Sequence, residues 1–92
     1  MVEKTYQSPY KAYVQVQATF YPDGRAPTPT EIVWEDGRRF SVDRVTDIRR
    51  AASTKAGGLG IRYTCCIRNR EAYLFYEDEN QRWFMERKEP QS

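Results

Sequence analysis

No histidine occurs anywhere in the 92 residues. Histidine is the commonest general acid–base side chain and the commonest metal ligand near neutral pH. Its absence excludes Ser-His-Asp and Cys-His nucleophilic catalysis, and a non-enzymatic role is the expectation. Cysteine is almost as scarce: Cys65 and Cys66 are the only two, and they are adjacent. Neighbours on a strand point to opposite faces, which does not permit ordinary disulfide geometry. A disulfide framework is therefore excluded, and a reducing, cytoplasmic location is expected. Two thiols at that spacing also fall short of the four N/S ligands of a structural zinc site, so no metal or cofactor is implied. One core thiol and one surface thiol is the plain reading.

Long apolar runs are missing as well. Nothing approaches the ~20 residues a membrane helix needs, and Met1, Val2, Glu3, Lys4 and Thr5 contain no apolar signal core. No membrane partner is expected. Aromatic residues, by contrast, are plentiful: four Phe, seven Tyr and two Trp, a supply that disordered chains lack. The length fits one domain over residues 1–92, with an ordered core of about 10–88 and frayed ends at the first nine and last four residues.

Period-two alternation dominates. In residues 11–21, Ala12, Val14, Val16, Ala18 and Phe20 share one face while Tyr13, Gln15, Gln17 and Thr19 share the other, the pattern of a half-buried strand. Pro22-Asp23-Gly24 turns the chain, and residues 26–30 continue as an extended, proline-stiffened connection. A short strand at 31–34, the hairpin signal Asp36-Gly37 and a returning strand at 38–48 follow. In that returning strand the alternation of Phe40 and Val42 slips at Val45 and again at Ile48, and each slip calls for a bulge or bend; a helical turn over 45–52 is the competing reading. Residues 51–60 are small and Gly-rich and read as an exposed loop. Strands at 61–68, 72–77 and 82–88 complete the chain, joined at Asn69-Arg70 and at the acidic stretch 77–81. The last hairpin is apolar on both faces, so it belongs in the middle of a sheet. The expected fold is all-β, a small antiparallel SH3-like barrel or strongly twisted sheet of about six strands.

The stretch Ile32-Val33-Trp34-Glu35-Asp36-Gly37-Arg38-Arg39-Phe40-Ser41-Val42, with Arg62-Tyr63-Thr64-Cys65, Tyr73-Leu74-Phe75-Tyr76 and Arg82-Trp83-Phe84-Met85-Glu86, resembles small uncharacterised bacterial proteins, mostly Gram-positive, described as domains of unknown function. The resemblance spans residues 12–88 and rests on strands and turns. It implies a β-rich fold and a bacterial origin, and no activity.

Few motifs carry chemistry. Glu35-Asp36 and Glu77-Asp78-Glu79 fall at hairpin tips, where solvent keeps carboxyl groups ordinary and turn formation explains them. Gly57-Gly58-Leu59-Gly60 lacks the Gly-x-x-x-x-Gly-Lys-Ser/Thr pattern of a phosphate-binding loop. Cys66 has arginines nearby in sequence but neither a base nor a resolving partner. Charge is distributed more informatively. Residues 38–70 hold nine basic and two acidic side chains, whereas the remainder holds six basic and eleven acidic ones. Such asymmetry points to an anionic partner. If the central strands are neighbours, Arg49, Arg50, Lys55, Arg62 and Arg68 form a basic face for nucleic acid or another polyanion, with Tyr rings for stacking. The opposing reading pairs each arginine with the acidic flanks. A second class of partner, a protein or a second copy of the chain, is expected from the number of aromatics.

Overall fold

The computed structural model describes residues 8–88. The expected fraying of the ends lies outside these residues except at Ser8 and Pro9, which enter a turn closed by the Lys11 N–H on the Ser8 carbonyl at 3.0 Å. The strands are β1 (Lys11–Thr19), β2 (Thr28–Val33), β3 (Arg39–Ser41), β4 (Arg44–Ala52), β5 (Leu59–Ile67), β6 (Arg70–Glu77) and β7 (Arg82–Glu86). All pair antiparallel in one sheet of order β3-β2-β1-β7-β6-β5-β4, curled into a half-barrel. The fold is thus all-β, as the alternation requires. The final hairpin, β6 and β7, does lie in the middle of the sheet.

Two features curl it. β1 changes partner halfway: Lys11 to Val14 pair with β7, and Gln15 to Thr19 pair with β2. The β1–β2 pair is also irregular between Gln17 and Ala18, where β2 carries Thr30 as an extra residue and Pro29 stands opposite Ala18; a residue without an N–H belongs at such an irregularity. Residues 28–30, expected as connection, are therefore the first half of β2.

Seven strands replace the expected six because the returning strand divides. The Val42 N–H still bonds Thr30 of β2 at 3.0 Å, whereas the Asp43 N–H bonds the Cys66 carbonyl of β5 at 2.8 Å. One peptide step thus carries the chain from the β2 side of the half-barrel to the β5 side. A bulge between Val45 and Asp47 follows. The phase slip in the sequence marks this bend and bulge, and residues 45–52 are strand, not helix.

Apolar residues collect on both faces. The concave face buries Ile32, Tyr63, Cys65, Leu74, Tyr76 and Trp83, with Val14, Val16, Ala18 and Val45 packed against them. The buried Tyr63 hydroxyl donates to the Pro27 carbonyl, satisfying a polar group that burial leaves without water. On the opposite face Phe75 and Phe84 stack with ring centres 4.8 Å apart, and Tyr13 meets Phe84 edge-on at 6.1 Å. Burying a ring of this size contributes about 1.5–3 kcal/mol.

That second cluster has a lid. The loop between β4 and β5 is shorter than its composition indicates, residues 53–58, and it is not an exposed loop throughout: Ser53 and Ala56 are buried. Ala56 packs on Phe75 and Phe84. The Ser53 hydroxyl donates to Glu86 at 2.6 Å and accepts the Ala56 N–H at 2.9 Å. Small residues leave the loop thin enough to lie against the sheet, and a hydrogen-bonded serine fixes it.

Candidate functional site

The five cations singled out in the sequence do not share one face. Arg49 and Arg62 are cross-strand partners on β4 and β5. Arg50, next along β4, points to the opposite face; Lys55 is in the loop; Arg68 is in the β5–β6 turn. Most are already engaged. Arg49 donates to both Asp47 oxygens, at 2.8 and 3.3 Å, and Arg50 holds Asp78 at 2.8 Å. Lys55 donates to the Lys88 carbonyl at 2.9 Å and lies over the Tyr10 ring. Arg62 covers the Tyr73 ring, 4.6 Å from its centre, and its buried Nε has no hydrogen-bond partner among the described residues.

Two of the carboxylates at the hairpin tips are not ordinary either. The Asp36 carboxyl is held below the usual range, first by the Arg38 backbone N–H, and Asp78 likewise by the Arg50 guanidinium. Glu77 is not at a tip at all. It ends β6 with its side chain almost covered, against Lys11 at 3.4 Å, the Tyr13 hydroxyl and Arg82.

Arg68 leads to a different place. At one end of the half-barrel, the β2–β3 and β5–β6 hairpins face each other across a groove of about 640 Å³. Ile32, Ile67, Ala72 and Met85 form an apolar floor, Trp34 and Phe40 form aromatic walls, and Arg38, Arg68, Arg70 and Lys88 stand around them with a single carboxylate, Glu71. Each is placed by local structure. Phe40 is paired with Ile32 across the β2–β3 hairpin, whose turn is closed by the Gly37 N–H on Trp34 at 2.9 Å, with the Trp34 N–H on Arg38 at 2.8 Å. Arg68 and Asn69 both take positive φ, 51° and 62°, forming the two-residue turn one position earlier than Asn69-Arg70. Arg87 braces this end, with Nε on Glu35 at 2.7 Å and Nη1 on the Pro9 carbonyl at 2.8 Å.

Two guanidinium groups share one ring: Arg68 lies 4.9 Å and Arg38 5.5 Å from the Phe40 centre. The negative face of the ring attracts each cation while the cations repel each other, so an incoming anion is favoured. Arg38 is paired with Asp36 at 2.7 Å. Arg68, Arg70 and Lys88 form no ion pair among the described residues. Reading the sequence strand by strand finds Arg68 and misses Trp34, Arg38, Phe40, Arg70 and Lys88. The available signal was aromatic and basic residues interleaved on both sides of Asp36-Gly37, the pattern that places Trp34, Arg38 and Phe40 at one hairpin end.

Among the described residues no group of three or more Asp, Glu or Cys side chains is placed to hold a metal ion, and no helix is long and apolar enough to cross a membrane. Comparison with family models, with curated proteins and with solved structures finds no match to this chain. The molecule is defined by its architecture, a curled antiparallel β half-barrel with an aromatic and cationic groove at one end.

Proposed function

We propose that the chain is a non-enzymatic binding module for single-stranded nucleic acid, and that the groove between the β2–β3 and β5–β6 hairpins is its contact surface. One observation carries the reading: Trp34 and Phe40 stand among Arg38, Arg68, Arg70 and Lys88. Proteins that hold single strands without strong sequence preference combine aromatic faces, on which bases stack, with cations that follow the phosphates. An apolar floor accepts a base that has left water, and arginine serves both as phosphate ligand and as stacking plane.

The sequence placed this activity on Arg49, Arg50, Lys55, Arg62 and Arg68. Of these only Arg68 belongs to the groove, and the ion pairs of Arg49 and Arg50 favour a structural role for those two. The test is titration of a labelled oligothymidylate by anisotropy over a salt series. Affinity should fall with salt at a slope of about −0.7 per phosphate contacted. Arg68→Ala with Arg70→Ala should weaken binding and flatten that slope, while Arg49→Ala with Arg50→Ala should leave both unchanged. Absence of binding at low salt, or loss caused by the Arg49 and Arg50 changes alone, overturns the reading.

A further inference from the structure

We infer that the free edge of β4 is a self-association surface, on which β4 of a second copy pairs antiparallel about a two-fold axis at Ile48. The inference is independent of any ligand at the groove. Among the described residues β4 is the last strand of the sheet and pairs with β5 alone, so nine residues of backbone present a free edge. Such an edge is a template for another strand unless it is short, covered or charged against pairing. The opposite margin, β3, has three residues and is too short to serve.

The charges on β4 favour one register, the one that sets Asp47 opposite Arg49. With Ile48 opposite the partner's Ile48, Asp47 stands opposite the partner's Arg49, Thr46 opposite the partner's Arg50, Val45 opposite the partner's Ala51, and Arg44 opposite the partner's Ala52. No like charges meet, as cross-strand pairing requires. Centres at Asp47, Arg49 or Arg50 set two like charges face to face, and centres at Thr46 or Ala51, which do not, leave Asp47 without an arginine opposite. Register in a strand pair is fixed by such patterns because one step inverts every face.

The free chain holds the parts ready. Ile48 is 48% exposed, one of few large apolar side chains left in water among the described residues, and at the axis it meets its own copy. On the other face Asp47 and Arg49 are already hydrogen-bonded, with side chains 37% and 63% exposed. Pairing places each Asp47 between two arginines, so four charges alternate around the axis, and such networks outweigh isolated surface pairs. The contact is isologous and closes as a dimer. The bulge between Val45 and Asp47 interrupts regular pairing on both sides of the axis. The dimer is consequently small and reversible, toward the weak end of specific interfaces.

Sedimentation over a concentration series tests this on the full chain. The expected result is a monomer–dimer equilibrium. Asp47→Arg and Arg49→Asp should each raise the dissociation constant about tenfold or more, and the two together should restore it to within about threefold. Ile48→Lys should abolish the dimer, and Arg68→Ala in the groove should leave it unchanged. Circular dichroism confirms folding of each variant; Ile48→Thr, which keeps a β-branched residue in the strand, replaces any that unfolds and should also weaken the dimer. A chain that is monomeric at every concentration overturns the inference, as do single reversals without effect or a double reversal that fails to restore association.

Discussion

The Arg68 guanidinium lies 4.9 Å from the centre of the Phe40 ring, joining the turn of one hairpin to a strand of another. Arg38 approaches the same ring from within its own hairpin. Phe40 is half-buried, and it gathers charge as well as apolar surface. Removing it should affect binding more than folding. For Phe40→Ala, the affinity for oligothymidylate should fall by the ~1–3 kcal/mol typical of a lost base–aromatic stack, read by anisotropy, while the urea midpoint moves only modestly.

The opposite holds for the Phe75–Phe84 stack. Phe84 is fully buried, and neither ring lines the groove. Phe84→Ala should destabilise the chain by about 3–5 kcal/mol, a large part of the ~5–15 kcal/mol a domain has in total. Phe20→Ala removes a ring that is 62% exposed and meets Tyr76 edge-on; it should cost under about 1 kcal/mol. Equilibrium urea unfolding of the two variants separates the cases.

Gly60 occupies a position that no side chain fits. A Cβ there would stand 2.5 Å from the Tyr76 carbonyl oxygen, which is backbone of the neighbouring strand. Gly60→Ala should therefore force β5 and β6 apart locally and destabilise by about 1–3 kcal/mol, measured by thermal melting. Gly24→Ala, which meets nothing within 4 Å, should show only the smaller strain of positive φ.

Burial pushes the Cys65 thiol up from 9.0 to about 11, and burial raises Tyr63 and Tyr76 in the same direction. The folded state then holds these protons more tightly than the unfolded state, so stability is fully present below pH 9 and declines as pH rises toward 11. The urea midpoint should fall across that interval, and Cys65→Ala should make the fall shallower. At the acid end the sign reverses. Asp78 is lowered by Arg50, so its contribution is present above about pH 4 and lost as pH falls further; Asp78→Asn should remove it.

The two thiols should also differ in reactivity. Cys66 is partly exposed and Cys65 is buried. In native buffer one equivalent of thiol should react promptly with a disulfide reagent, and the second only on unfolding. Cys66→Ser should abolish the prompt phase.

Much of this protein is local and was legible in the sequence. Alternation determined β1 and β5, because side chains on a strand change face at every residue, and a hairpin apolar on both faces marked β6 and β7 as the middle of a sheet. Asp36-Gly37 determined a hairpin, and adjacent cysteines determined one buried and one partly exposed thiol. The phase slip after Val42 announced a bend without saying where the chain goes. Only the tertiary structure decided that Val42 and Asp43 bond opposite sides of the half-barrel, because hydrogen bonds to β2 and to β5 depend on the curl of the whole sheet. The same holds for the cations. Their number was plain, but Arg49 and Arg50 are spent on Asp47 and Asp78, whereas Arg68, Arg70 and Lys88 form no ion pair among the described residues and line one groove with Trp34 and Phe40 from distant parts of the chain. Charge is fixed by composition; which charge is neutralised is fixed by the partners that folding brings within hydrogen-bonding distance.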